Sequence, residues 1–373
     1  EGAFRYFPQS EATWHIVKTD KGIGPRAASF MNRALYNKAL ELGVTVLLET
    51  AATQILKEDG RVVGVRARGQ NNEEIEVRCD AAIICTGGAG ANTEMIKEYT
   101  GLEYGKDVYN FAVPGMVGDG IRMAWEAGAD QMPIRIEMAA DLGGGEPASA
   151  SVSNIFKQPN LLVNRFGKRI MNEEYIQNST YLSNLANHQK DKVVFNIVDT
   201  SIIKYYIKHG VDVTSLVANV PDVSDFFEGF ESLMENGSHN FFRADTIEEL
   251  AEKAGIDVEN LKETIDDYNF FCDSVDEEFF KAKRYLRPIF KAPFYAAAHH
   301  PGGYGTVGGV RINENCEACD REFMPIPGLY CAGADACNIY DDSYMFLLPG
   351  NSMGFAVNSG RIAGMSAAEY IQK

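Results

Sequence analysis

The stretch AAIICTGG at residues 81–88 constrains the fold more than any other feature of this chain. A short apolar run that ends in glycines is typical of a strand buried on both faces. The preceding segments, ATQILKEDGRVVGVRARG and EEIEVRCD, predict short antiparallel strands joined by an Asp-Gly turn. Ligands bind beyond the carboxyl ends of parallel strands in doubly wound sheets. We therefore expect the residues that follow this strand to contact a ligand.

The segments before these strands predict one helix and one further strand. Apolar residues recur at helical spacing in 26–43 and stop at Gly43, and VTVLLE at 44–49 predicts a buried strand. This order is that of the later half of a dinucleotide-binding domain. The first half, a strand–GxGxxG–helix unit, is not found, because GIGPRA at 22–27 has no apolar strand before it.

The remaining segments predict a discontinuous domain that an insertion interrupts. GDGIRMAWEAGA at 118–129 predicts a helix, whereas strands such as KVVFNIVD alternate with acidic helices such as TIEELAEKAG over about 136–295. Glycine-rich, sheet-like sequence returns after 295. We predict an α/β protein with one domain at 1–135 and 296–373 and an α+β cap at 136–295.

Charge and composition exclude several classes of function. Acidic residues outnumber basic ones by 52 to 35, and a net charge of −17 argues against nucleic acid or anionic membrane as a partner. No apolar run reaches the length of a membrane span. We expect a cytoplasmic protein, although a signal on an absent N-terminus would direct export instead. Cys316 and Cys319 form a CxxC that we interpret as free thiols; a metal site and a local disulfide are the alternatives.

Six motifs, in order, resemble the FAD-dependent flavoprotein superfamily that contains fumarate reductase, urocanate reductase and 3-ketosteroid dehydrogenase. They are ICTGGAGAN (84–92), GDGIRMAWEAGA (118–129), LLVNRFGKRIMNEE (161–174), TVGGVRIN (306–313), PIPGLYCAGADA (325–336) and PGNSMGFAVNSGRIAG (349–364). The resemblance implies a Rossmann-like FAD domain, a mobile capping domain and an active site between them. Members of the family begin with a phosphate-binding βαβ unit. The resemblance therefore leads us to expect an N-terminally incomplete chain, either a fragment or one part of a split enzyme.

The resemblance also implies a set of FAD contacts. The helix from Asn351 directs its N-terminus at the isoalloxazine, where unpaired amides stabilise the negative charge of the reduced ring. Asp335 accepts hydrogen bonds from the ribityl chain, with a helix N-cap as the alternative, and Ala52 approaches the adenine. We interpret Gly360 and Gly364 as sites of close helix–sheet packing. The cofactor contacts implied are Ala52, Thr86, Gly87, Gly88, Gly308, Asp335, Gly350, Asn351, Ser352 and Met353.

Three positions that carry charge in fumarate reductases have lost it here. By resemblance, Leu347 occupies the position of the arginine that clamps the substrate. Gly305 occupies that of the substrate-binding histidine, and Gln177 that of the proton-donating arginine. A dicarboxylate would lack charge-assisted partners at these positions, so we do not expect fumarate as the substrate. Arg169 of the GKR motif is kept, either as a proton relay or in an ion pair with Glu173.

In ketosteroid-type members a tyrosine precedes the Pro-Gly pair, and Leu348 occupies that position here. Nearby tyrosines are the candidates to replace it. We choose Tyr344 first and Tyr304 second as catalytic acids, against simple packing around the flavin. His299 and His300 either face substrate or are solvated, and the carboxylates in DDSY (341–344) either bind substrate or cap a helix.

These residues predict an FAD-dependent oxidoreductase that reduces a C=C bond conjugated to a carbonyl or carboxylate. The alternatives are a ketosteroid-type desaturating dehydrogenase and an incomplete chain that binds no FAD. The partners expected are a small-molecule substrate and an electron donor or acceptor of unknown identity.

Overall fold

The fold comes from a computed structural model, which describes residues 17–19, 22–23, 27–213, 222–340, 344 and 350–373. The strands, in chain order, are β1 (Lys18–Thr19), β2 (Gly22–Ile23), β3 (Ala51–Glu58), β4 (Arg61–Arg68), β5 (Glu74–Arg78), β6 (Ala82–Ile84), β7 (Tyr109–Asn110), β8 (Arg135–Leu142), β9 (Leu161–Asn164), β10 (Val194–Asp199), β11 (Phe241–Ala244), β12 (Phe294–Val307), β13 (Glu317–Cys319) and β14 (Pro325–Cys331). The helices are α1 (Ala28–Glu41), α2 (Thr93–Thr100), α3 (Asp119–Glu126), α4 (Ala150–Phe156), α5 (Ser179–Asn187), α6 (Thr200–His209), α7 (Phe226–Glu235), α8 (Ile247–Ala254), α9 (Val258–Asp273) and α10 (Asn351–Tyr370).

The chain forms two compact units, and the first interrupts the second in sequence. Unit 1 contains Tyr104–Tyr109 and Met138–Gly302, and unit 2 contains Asn110–Glu137, Gly303–Lys373 and the described residues up to Glu103. The sequence placed the corresponding divisions at 135/136 and 295/296, and the assignment of domains stays a prediction. The mixed α/β class expected from the sequence is confirmed.

Unit 1 is built on a sheet in the order β11-β12-β10-β9, with antiparallel neighbours. All six residues of β10 are buried, because the strand is central and both of its faces are covered. Aromatic side chains from several elements fill the core beside it; Phe230 and Tyr295, for example, meet edge to face with ring centroids 5.0 Å apart. The predicted strand KVVFNIVD and helix TIEELAEKAG are present as β10 and α8, and Thr246 Oγ1 caps α8 by accepting a hydrogen bond from the Glu249 amide.

Unit 2 contains the strand that first constrained the fold. β6 pairs in parallel with β14, which pairs with β13 in antiparallel orientation. The strands β3, β4 and β5 form the predicted meander, and positive φ angles at Asp59 and Gly60 provide the tight turn between the first two. The predicted helices at 26–43 and 118–129 are present as α1 and α3.

Three expectations for unit 2 are wrong. β6 is not buried on both faces, since Ile83 is 40% exposed. VTVLLE is not a strand: it is irregular, and Val44 and Leu48 are 52% and 72% exposed. A parallel strand needs a neighbour to pair with, and none of the described residues supplies one here. Gly360 and Gly364 do not pack closely against the sheet, since a Cβ at either position would meet no described atom within 4 Å.

Candidate active site

The N-terminus of α10 begins at a glycine and has no side-chain cap among the described residues. Gly350 occupies the N-cap position with φ 80°, and no described side chain caps the helix. The amide of Gly354 donates to the Gly350 carbonyl at 2.8 Å, so the first helical hydrogen bond begins there. The amides of the preceding turn, Asn351 to Met353, have no intrahelical acceptors and carry the positive end of the helix dipole.

A cavity of about 560 Å³ lies against this helix turn within unit 2. Small and apolar residues make up most of its lining, and no arginine, lysine or histidine is among the described lining residues. The residues that line it are Ala28, Cys85, Gly87, Val113, Met116, Glu137, Tyr304, Gly305, Thr306, Val307, Ala332, Gly333, Ala334, Cys337, Ser352, Met353 and Ala356. Its volume falls within the roughly 300–1,000 Å³ typical of ligand pockets.

Asp335 anchors the loop that follows β6. Its carboxylate accepts hydrogen bonds from the Thr86 amide, from Thr86 Oγ1 at 2.8 Å, and from the Gly87 and Gly88 amides, each at 2.9 Å. Burial raises the pKa of Asp335, although these bonds oppose the rise. Because four donors already satisfy the carboxylate, the predicted ribityl contact would require some of these bonds to be exchanged. That contact stays a prediction.

A second, smaller cavity of about 340 Å³ is lined in part by residues of the same strand end. Ala52 and Thr86 line it, together with apolar residues of β6 and with Met123 of α3. Cys85 lines both cavities. Ala52, expected at the adenine, and Thr86, expected at the strand end, therefore line one cavity.

Gly308 has a local structural reason to be glycine. Its φ is +93°, and a Cβ there would lie 1.9 Å from the Pro133 carbonyl oxygen. Backbone contact therefore requires glycine at this position whether or not a flavin lies nearby. Its predicted cofactor contact stays a prediction.

Tyr304 and Tyr344 meet beside the first cavity. Their ring centroids lie 6.2 Å apart at 90°, a hydrogen bond joins their hydroxyl groups, and Tyr344 is 3% exposed. Phe111 stacks on Tyr304 with centroids 5.9 Å apart. Burial, assisted by the nearby Glu137 carboxyl, raises the pKa of Tyr304, so its hydroxyl keeps its proton at neutral pH.

Glu137 was missed by the sequence reasoning. Its side chain is 6% exposed and hydrogen-bonds with Ser352 and Tyr304, and burial raises its pKa to about 7. Its Oε1 has no hydrogen-bond partner among the described residues. The signal available in the sequence was an acidic residue inside the otherwise largely apolar segment PIRIEMAA.

Arg169 lies in unit 1, in a buried ion network. Its guanidinium forms two-pronged contacts with Glu173, at 3.0 and 2.9 Å, and with Asp276, at 2.9 and 2.8 Å. Lys281 Nζ lies 3.4 Å from the same Glu173 carboxylate. Burial opposes ionisation of Asp276, but hydrogen bonds from Arg169 and from the Lys281 amide outweigh it and lower the pKa of Asp276 to about 2.

Of the two histidines at 299–300, His299 is buried and His300 is partly buried. His299 is 1% exposed, its Nε2 lies 3.0 Å from the Phe156 carbonyl oxygen, and burial lowers its pKa to about 3. His300 Nε2 lies 2.8 Å from Asn240 Oδ1, and burial lowers its pKa to about 4. Both rings are therefore neutral members of unit 1 near neutral pH.

Some predicted features lie outside the described residues. These are the Gly24–Arg26 part of the glycine-rich match, Leu347, Leu348, the two carboxylates of DDSY and the side chain of Gln177. The described cysteines are free thiols. Within the described ranges, no group of three or more His, Cys, Asp or Glu residues is placed to hold a metal ion, and no helix has the length and hydropathy needed to cross a membrane.

The first cavity has the chemistry that a flavin requires. The uncapped helix turn offers amide donors to an electron-rich ring edge, and the small lining residues leave space for a planar ring. Glu137 and Tyr304 supply polar groups on the same lining. The described residues therefore fit the isoalloxazine of FAD.

Comparison with known proteins identifies the family. The family described as FAD binding domain matches residues 8–353. The vinyl phenol reductase of Lactiplantibacillus plantarum is 32% identical over an alignment of 386 positions, which covers 96% of this chain and 74% of that protein. The fumarate reductase (cytochrome) of Shewanella frigidimarina is 28% identical over 360 residues, which cover 94% of this chain and 56% of that protein.

A solved structure shares the fold. The 3-ketosteroid Δ1-dehydrogenase of Sterolibacterium denitrificans, in complex with 1,4-androstadiene-3,17-dione, matches with a TM-score of 0.70 and 23% identity over 90% of this chain and 62% of that one. The superfamily expected from the six motifs is thus confirmed. The chain belongs to the FAD binding domain family, a family of flavin-dependent oxidoreductases, and its cofactor is FAD.

Proposed function

We propose that this protein reduces a C=C bond conjugated to a carbonyl or a carboxylate, in a substrate that carries fewer charges than fumarate. One observation supports this most directly: a flavin-sized cavity beside an uncapped helix turn contains a buried tyrosine and a buried acid, but no cationic side chain among its described lining residues. The names of the relatives support reduction of an alkene, since one is a vinyl phenol reductase and another a fumarate reductase.

FAD, when bound, supplies the hydride for such a reduction. Tyr304 donates the accompanying proton from its hydroxyl, which its raised pKa keeps protonated. Tyr344 orients that hydroxyl through the hydrogen bond between the two tyrosines and is the alternative donor. For Arg169, the buried contacts with Glu173 and Asp276 support the ion-pair role over the predicted proton relay.

The cofactor contacts remain proposals of the same kind. The large cavity would hold the isoalloxazine against Gly350, Asn351, Ser352 and Met353. The small cavity beside Ala52 would hold the adenine end, and the strand end at 86–88 lies between the two. The amides of α10 would stabilise negative charge on the reduced ring.

We further propose that the FAD-binding domain needs a phosphate-binding βαβ unit in addition to the described residues. No residue of α1 is buried, although Phe30, Leu35 and Leu40 are apolar and between 44% and 59% exposed. Such a face is normally covered by another element. The inserted unit 1 would act as the cap. Intact mass of the natural protein and co-purification of a second polypeptide would show which chain supplies the missing unit.

An anaerobic assay tests the function. The FAD-loaded protein is mixed with reduced viologen and one of four alkenes: an enone, acrylate, a vinyl phenol or fumarate. We expect viologen oxidation with at least one of the first three and little with fumarate. Turnover of saturated ketones with an oxidised acceptor, and of no alkene, would establish the desaturating dehydrogenase instead. A protein with no flavin absorbance even after FAD is added would support the incomplete-chain alternative.

A further inference from the structure

Glu137 is a buried carboxyl group that the proposed chemistry leaves without a role. It lies on β8 and lines the large cavity. A Cβ on Gly305 would lie 2.7 Å from Glu137 Oε2, so the absence of a side chain at Gly305 makes room for the carboxyl group. Nothing among the described lining residues carries a positive charge to balance it. One oxygen also lacks a partner, which places an unsatisfied acid at the cavity wall.

The groups that face Glu137 stay neutral around neutral pH. Tyr304 on β12 is one; Cys337 and Tyr340, which follow β14, are the others, and Ser352 of α10 does not titrate in this range. Burial raises the pKa of Cys337 to about 12 and also raises those of Tyr304 and Tyr340. Glu137, whose pKa burial raises to about 7, is thus the member of this cluster that gains or loses a proton under ordinary conditions.

We propose that the protonated carboxyl group of Glu137 is the internal proton store that reprotonates the Tyr304 hydroxyl group as this group transfers its proton to substrate. The inference rests on the proposed function and adds a residue to it. The hydrogen bond between the two side chains provides the path. Because Glu137 acts through Tyr304, it is a positioning and relay residue and not one that contacts substrate.

The step balances as follows. In the FAD-loaded protein, one alkene carbon would accept the hydride that FAD supplies, and the neighbouring carbon would accept the proton of the Tyr304 hydroxyl. The Tyr304 oxygen takes the carboxyl proton of Glu137 in the same movement, so no free tyrosinate forms. The Glu137 carboxylate then takes a proton from water. The net change is addition of one hydride and one proton across the double bond.

The variant Glu137→Gln tests the proposal because it keeps the size and hydrogen-bonding capacity of the side chain but removes the transferable acid proton. Glu369→Gln is a matched control: the same change on the exposed, C-terminal part of α10. Tyr304→Phe gives the effect of losing the direct donor, for which general acid catalysis predicts a loss of roughly 10²–10⁴-fold.

Two readouts decide the outcome. In the FAD-free protein, an infrared band of a protonated carboxyl group should titrate near pH 7 in the wild type and in Glu369→Gln, and be absent in Glu137→Gln. In turnover, wild-type kcat/KM should fall as pH rises through about 7. Glu137→Gln should be about tenfold slower below that pH and show no such fall.

The failures are distinguishable. A titrating band that persists in Glu137→Gln, or an unchanged pH profile in a variant that still reduces alkenes, overturns the relay alone. A wild-type protein that shows the band but reduces none of the alkenes overturns the proposed function and the relay with it.

Discussion

The burial of the Glu137 carboxyl group beside α10 should affect the stability of the protein, and this effect can be measured without substrate turnover. The carboxyl pKa of Glu137 is raised from 4.5 to about 7 in the folded protein, so the unfolded chain releases this proton first as pH rises. The free energy of unfolding should therefore fall between about pH 4.5 and 7, by roughly 3 kcal/mol from this group. Below pH 4.5 the carboxyl group is protonated in both states and does not lower the free energy of unfolding. Above pH 7 the full decrease is present.

We expect Glu137→Gln to lack this pH-dependent decrease in the free energy of unfolding. Relative to the wild type, the variant should therefore become more stable as pH rises from about 4.5 to 7. Urea denaturation at a series of pH values measures it, with Glu369→Gln again as the control. Parallel stability curves for the wild type and Glu137→Gln would show that the buried carboxyl group is ionised at all of these pH values or is accessible to solvent.

Arg169 and its neighbour Lys168 form a natural pair for comparison. Arg169 is 1% exposed between two buried carboxylates, whereas Lys168 pairs with Glu263 at the surface. Arg169→Ala should lower the free energy of unfolding by about 3–5 kcal/mol, because it removes the guanidinium group from Asp276 and leaves Glu173 with Lys281 alone. Lys168→Ala should cost no more than about 1 kcal/mol.

Thermal or urea unfolding of the two variants separates the two roles considered for Arg169. An Arg169→Ala protein that keeps its stability but loses turnover would contradict the ion-pair role and favour the proton relay.

Individual residues were predictable where a motif fixed them and not where their partners are distant in sequence. The strand end at 86–88 followed from its glycines. The four bonds that Asp335 accepts come from residues almost 250 positions earlier, so no local pattern reveals them. The burial of His299 and Glu137 depends in the same way on which elements cover their strands.

At the scale of elements, we expect the affinity for FAD to depend on the side chains that α10 presents to the cavity. Ala356 lies on the cavity side of this helix and Ala368 is exposed further along it. Ala356→Leu fills the cavity and should weaken FAD binding by at least about tenfold, since a blocked ring loses the helix contacts. Ala368→Leu makes the same change without touching the cavity and should bind FAD like the wild type.

Titration of FAD fluorescence against each variant measures this difference. Equal affinities for Ala356→Leu and Ala368→Leu would place the flavin away from α10 and contradict the assignment of the cavity.

Elements whose pattern alone determines them were predicted, and those that need a partner were not. The β3–β4 turn and the helix α8 follow from local chemistry, and both are present. VTVLLE has the composition of a buried strand but no described neighbour to pair with, so it stays irregular. Gly360 was expected to pack closely, yet a Cβ there would contact none of the described residues, so a glycine inside a helix does not by itself indicate close packing.

For the whole molecule, the order of six motifs was enough to predict the family and FAD, although each motif alone is weak. The substrate was not predictable to the same degree. Specificity depends on a few side chains that converge in a cavity, and these come from β8, β12 and α10, which lie far apart in sequence. Loss of charge at aligned positions argued against fumarate, and the absence of cationic residues from the described cavity lining supports the same proposal.

The most direct measurement is a crystal structure of the FAD-loaded protein. A ring seated as proposed places the pyrimidine edge of the isoalloxazine within about 3.2 Å of backbone amides between Asn351 and Met353, with the Tyr304 hydroxyl on the same cavity wall. A flavin bound elsewhere, or a helix start whose amides are all capped by side chains, would contradict the account.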